Sequence, residues 1–136
     1  MKEIIRGETM QLKTHLKIDT SLNGEIIELK ENYAKVQLTT SKEMIADAYE
    51  LVHGGFVFGA GDFTAMATIN HPNVVLAKSE AKFVAPVKLG DIVIFEGELV
   101  SSDGFKGEVA VEGKVGERLV FKATFYTASL KNHLFA

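Results

Sequence analysis

The chain has no cysteine, only two prolines, and no run of eighteen or more uncharged apolar residues among its 136. Without cysteine there can be no disulfide, no thiolate metal site and no thiol nucleophile. The formal charge of -3 and a pI near 5.8 give no electrostatic case for nucleic acid or an anionic membrane. Residues 1–8, MKEIIRGE, lack the apolar run of a signal peptide, so a cytoplasmic protein is expected. No Gly-x-Ser-x-Gly elbow, phosphate loop or dinucleotide fingerprint occurs. His15, His53, His71 and His133 share no ligand spacing, so no metal site is expected.

Against these absences, residues 51–70 stand out. They read LVHGGFVFGAGDFTAMATIN and carry one charged side chain, Asp62. Apolar residues fall on nearly every face, which marks a helix buried in a core or a membrane. An acid in mid-span, a histidine and four glycines argue against a bilayer span. The helix is predicted to open at Gly54-Gly55 and to close at Asn70-His71-Pro72, because proline disfavours helix in the residue before it.

The rest alternates with period two. Residues 25–29 and 33–40 form two predicted strands, the second burying Ala34, Val36 and Leu38. Residues 41–50 are a mixed connector. Beyond the helix come four more: 74–87, with odd positions from Val75 to Val87 as a small apolar face, 92–100, 105–115 and 118–126. Ser101-Ser102-Asp103-Gly104 is a hairpin turn. Phe105, Val109 and Val111 are expected on one side of the strand it begins. Residues 1–20 are the least readable part, residues 10–18 read equally as a short helix or an edge strand, and 130–136 carry no pattern.

Short turns imply antiparallel pairing. Length and the lack of linkers or repeats imply one domain over 1–136. The fold class is α+β, a curved antiparallel sheet wrapped around one long central helix. Such a sheet leaves edges to be managed, and a symmetric dimer does so.

Two features can carry chemistry. A buried carboxylate such as Asp62 must be hydrogen-bonded, protonated or turned to a polar cavity; it either caps a loop or acts on a substrate. Gly54 and Gly55 leave the first N–H groups of the helix open to a substrate, where the helix dipole favours a developing oxyanion. Their alternative reading is a tight turn. Asp62 follows Gly54 by about two turns, roughly 12 Å, too far to serve one carbon within a chain. Two antiparallel helices meeting in a dimer would bring the acid of one to the glycines of the other. His53, just before the glycines, either orients a carbonyl or shapes the junction.

Residues 53–62, HGGFVFGAGD, resemble the hotdog-fold acyl-CoA thioesterases of the phenylacetate-pathway type, in which His-Gly-Gly opens the central helix and an acid follows nine residues after the His. Residues 82–91, KFVAPVKLGD, resemble that family's aromatic-x-x-Pro-x-x-x-Gly-Asp segment. The resemblance spans about 22–128. It implies a homodimer, or a tetramer built from dimers, with acyl-CoA at paired subunit interfaces, coenzyme A entering as part of the substrate and no separate cofactor.

By position, Asp62 becomes base or nucleophile, Gly54 and Gly55 the oxyanion donors, and His53 a positioning group. Asp47, Phe58, Lys82, Phe83 and Lys88 join the substrate-binding set. Asp47 stands where members often carry Asn, and Leu76 where a small hydroxyl residue sometimes lies. The chain also resembles hotdog acyl-CoA-sensing regulators of bacterial lipid synthesis. Those have an amide at the position of Asp62 and a DNA-binding module in front, for which some twenty residues are too few. A hotdog dehydratase would need a His and an acid at another spacing. The expected function is hydrolysis of a medium or long acyl-CoA, with a non-catalytic acyl-CoA-binding protein as the alternative.

Overall fold

A computed structural model describes residues 10–136. The elements run α1 (Thr20–Asn23), β1 (Glu25–Lys30), β2 (Tyr33–Thr39), a 3-10 turn (Lys42–Met44), α2 (Gly54–Ile69), β3 (Val74–Phe83), β4 (Ile92–Asp103), β5 (Lys106–Val115) and β6 (Arg118–Ser129). The strands form one antiparallel sheet in the order β1-β2-β4-β5-β6-β3. Its concave side wraps α2. This is the hotdog arrangement that the sequence resemblance implied.

The helix starts and stops where glycine and proline predicted. His53 precedes it in extended conformation, and Asn70 ends it in the left-handed region with its N–H on the Met66 carbonyl at 2.8 Å. Val57, Ala60, Phe63 and Met66 from α2 meet Val36, Leu38, Phe95, Val111, Phe121 and Phe125 from the sheet. Each fully buried aromatic or aliphatic side chain contributes roughly 1.5–3 kcal/mol, so this seam holds the layers together. Close approach needs small residues: a Cβ on Gly61 would lie 2.6 Å from the Phe121 ring, and one on Gly97 2.5 Å from Thr68 Oγ1. Thr64 and Thr68 are tolerated in the core because their hydroxyls donate back to Ala60 and Thr64 carbonyls at 2.7 and 2.8 Å.

Four expectations need correction. The strand after the helix ends at Phe83, and a bulge at Ala77 reverses its faces, so Val74 and Leu76 point inward first, then Ser79, Ala81 and Phe83. The odd-numbered face is therefore right only beyond the bulge. The β4–β5 hairpin turns at Gly104-Phe105 rather than at 101–104, because cross-strand pairing continues to Asp103↔Lys106. Phe105 consequently sits in the turn, more than half exposed, and not beside Val109 and Val111 in the core.

The N-terminal reading falls in two parts. Residues 1–9 lie outside the described residues. Residues 10–19 form neither helix nor strand, although Met10 N–H donates to the Leu29 carbonyl of the β1 edge at 2.7 Å.

Candidate functional site

The mid-helix acid sits in a setting that does not satisfy it. Asp62 is half-buried, and its Oδ1 is wholly buried without a hydrogen-bond partner among the described residues. Native interiors hold few such atoms, and each calls for an explanation. Burial pushes its carboxyl from the ordinary 3.8 up to about 6. Asp62 borders a partly open cleft of about 620 Å3, walled by Thr14 and His15, by Met66 of α2, by Val74 and Leu76 of β3, and by Leu134 of the tail. The walls are mostly apolar with a few polar groups, the usual make-up of a small-molecule site.

The glycines occupy the first turn of α2. Gly54 and Gly55 N–H groups have no acceptor among the described residues, as expected for the first turn of a helix. The Phe83 ring packs beside Gly54, 3.5 Å from where a Cβ would stand. The His53 imidazole lies over Gly55, whose missing Cβ would fall 2.9 Å from the ring, and meets Phe56 edge-on at 6.1 Å. Its side chain makes no cap to the helix. Within one chain, then, the open amides and the unsatisfied carboxylate face different surroundings.

The remaining candidates scatter. Phe58 packs into the Phe121 and Phe125 rings at 6.5 and 5.5 Å. Phe83 is 55% exposed although it also stacks on Phe121. Lys82 and Lys88 are exposed, the latter in a bridge to Leu51. Asp47 Oδ1 accepts the Tyr49 and Leu51 N–H groups at 3.0 and 3.1 Å, so its carboxylate is committed to shaping its own loop. Leu76 lines the Asp62 cleft where a hydroxyl residue would have offered a water a partner.

Sequence reasoning overlooked Thr14 and His15. Their stretch has no period, and the sole hint was a titratable side chain in an irregular segment, where functional groups often lie. Among the described residues no three His, Asp or Glu side chains gather to hold a metal ion, and no helix is long and apolar enough to cross a membrane.

Residues 49–122, more than half of the chain and including both the open amides and Asp62, match the sequence profile of the thioesterase superfamily. The chain belongs to the thioesterase superfamily. Among solved structures similar to this chain, an uncharacterized protein, PH1136, from Pyrococcus horikoshii superposes with a TM-score of 0.92 at 38% identity, covering 94% of this chain and 98% of that one. Methylthioribose-1-phosphate isomerase of Aquifex aeolicus is 45% identical over 121 residues, which are 89% of this chain and 26% of that protein. Transcription factor FapR of Caldanaerobacter subterraneus is 26% identical over 96% of this chain and 65% of its own length. This chain thus spans about a quarter of the first of these two curated relatives and just under two thirds of the second.

Proposed function

We propose that this thioesterase-superfamily chain is a cytoplasmic acyl-CoA thioesterase that hydrolyses medium or long acyl groups at the interface of a homodimer. The observation that carries this reading is the Asp62 Oδ1, without a donor among the described residues, beside a mostly apolar cleft. A carboxyl with a pKa near 6 is ionised at neutral pH yet basic enough to take a proton. In this scheme Asp62 removes a proton from water, and the oxygen adds to the thioester carbon. The oxyanion forms against the Gly54 and Gly55 N–H groups, with His53 steadying that turn. The C–S bond then breaks, and the coenzyme A thiolate leaves.

The fold supports an interfacial arrangement. Strand β3 is an edge of the sheet, and its exposed Ala81 and Phe83 on the concave side await cover. Its start, Val74 to Leu76, borders the Asp62 cleft, while its end, Phe83, packs beside Gly54. A twofold antiparallel pairing of β3 with a second β3 sets start against end. The partner's Gly54 then comes alongside the Asp62 cleft, and the approximately 12 Å separation along one helix ceases to matter. Phe58 would border the acyl path, and Lys82 and Lys88 are exposed to meet coenzyme A phosphates. Asp47 would act only through its loop.

The match to FapR favours a second reading, a non-catalytic protein that binds acyl-CoA. A hydrolysis and binding panel across acyl-CoA chain lengths separates the two. Under the enzyme reading, Asp62→Asn lowers turnover by about 10²–10⁴ while binding is kept. Tight binding by the wild type with no turnover would replace the enzyme with the binder.

A further inference from the structure

One wall of the Asp62 cleft is a strap of irregular chain, and it is latched with care. The side-chain amide of Asn70, the residue that caps α2, accepts from Lys13 N–H at 2.7 Å and donates to the Gln11 carbonyl at 2.9 Å. Next along the strap Thr14 is buried, and His15 follows with φ +55°. A left-handed backbone costs a non-glycine residue roughly 1–2 kcal/mol, so the strap holds this imidazole in place against an intrinsic preference. The ring packs against Phe63, with centroids 6.2 Å apart.

The tautomer can be worked out. Thr14 Oγ1 lies 2.8 Å from His15 Nδ1. That buried hydroxyl has no other partner among the described residues, so its hydrogen is best placed on Nδ1. Nδ1 is then the acceptor, and Nε2 carries the ring hydrogen. Burial lowers the pKa of His15 below 6.5, which keeps the ring neutral near pH 7. Nε2 has no partner among the described residues and is not a buried, stranded atom. His15, with its ring hydrogen on Nε2, and Asp62 therefore line the same cleft. His133, which also borders it, is exposed, and its Nδ1 serves the tail by accepting from Phe135 N–H at 3.0 Å.

We propose that His15 is a second catalytic residue of this site, whose Nε2–H holds and orients the water that Asp62 deprotonates. The assignment rests on the thioesterase reading. It also supplies the water-holding group that Leu76 cannot provide.

Two substitutions test it in the full chain. Glutamine places an amide nitrogen near the position of Nε2, whereas asparagine places one near Nδ1 and suits a left-handed backbone better than most residues. His15→Asn is expected to melt like the wild type, to keep KM within about twofold, and to lose about 10- to 100-fold in kcat. His15→Gln is expected to recover much of that loss. If His15 merely shaped the strap, the order would reverse, with asparagine behaving as wild type and glutamine impaired. That reversed order, or full turnover in His15→Asn, would overturn the proposal.

A readout independent of activity is the ¹⁵N spectrum of the His15 ring. It should show the Nε2–H tautomer in the wild type and lose that preference in Thr14→Val, and an Nδ1–H ring in the wild type would equally overturn the proposal. A wild type that binds acyl-CoA without turnover would sink the thioesterase reading and His15 with it. Turnover lost in Asp62→Asn but intact in His15→Asn would sink this inference alone.

Discussion

Replacing Asp62 with asparagine should make the protein more stable as well as inactive. In the wild type the carboxyl rises from 3.8 to about 6 on folding, through burial, with no compensating donor to Oδ1 among the described residues. Between those two values the folded chain binds more protons than the unfolded one, so stability falls as pH rises through that window. Below pH 3.8 the acid is neutral in both states and carries no penalty. Above pH 6 the full penalty applies.

At about 1.4 kcal/mol per pH unit the rise is worth about 3 kcal/mol. The carboxyl keeps some contact with solvent, which reduces that to about 1–2 kcal/mol. The isosteric amide removes the charge and with it the penalty. At pH 8 the variant should gain about 1–2 kcal/mol, or about 4–8 °C in Tm for a chain of this size. Near pH 4 the difference should shrink towards zero. Denaturant melts of both proteins at the two pH values, at one protein concentration because subunit association shifts apparent stability, give the comparison directly. Loss of stability in the variant at pH 8, or a gain that does not change with pH, would show that the carboxylate is satisfied in the fold, and the catalytic reading would lose its footing.

Gly54→Pro removes a single donor at a place where proline is tolerated, since Gly54 is the first helical residue and His53 already has φ -61° and ψ 131°. Folding should survive while turnover falls about 10²–10³-fold, as for a lost oxyanion donor; unchanged turnover would move the carbonyl elsewhere. Mixing Gly54→Pro with Asp62→Asn chains, refolded together, should rebuild one intact site per mixed dimer and restore about a quarter of wild-type activity. Activity no higher than that of either parent would place both groups in one subunit. Gly61→Ala drives a methyl to 2.6 Å from the Phe121 ring and should cost about 1–3 kcal/mol in a denaturant melt, whereas a neutral result would mean that α2 can lift from the sheet.

The legibility of the chain varied by element. Strands β2 and β6 were readable because alternation is a local property of extended backbone. Ala34, Val36 and Leu38, like Phe121, Ala123 and Phe125, are buried as their spacing required. Helix α2 was readable at both ends because glycine and the Asn-His-Pro sequence act on the backbone nearby. The faces of β3 were half legible, since the bulge at Ala77 comes from pairing with β6 and leaves no local mark. Phe105 was misplaced for a related reason: the register of β4 against β5 decides where the hairpin turns.

Residue order alone determined the layered plan, the presence of one acid in an apolar helix and the bare amides at that helix's start, because each follows from side-chain chemistry within a few positions. Only tertiary structure decided that Asp62 Oδ1 has no donor among the described residues, that the Asp62 residue borders a cleft, and that His15 shares that cleft. Those facts depend on where Asn70 latches a distant strap, and such long-range hydrogen bonds have no period or spacing by which a sequence could announce them.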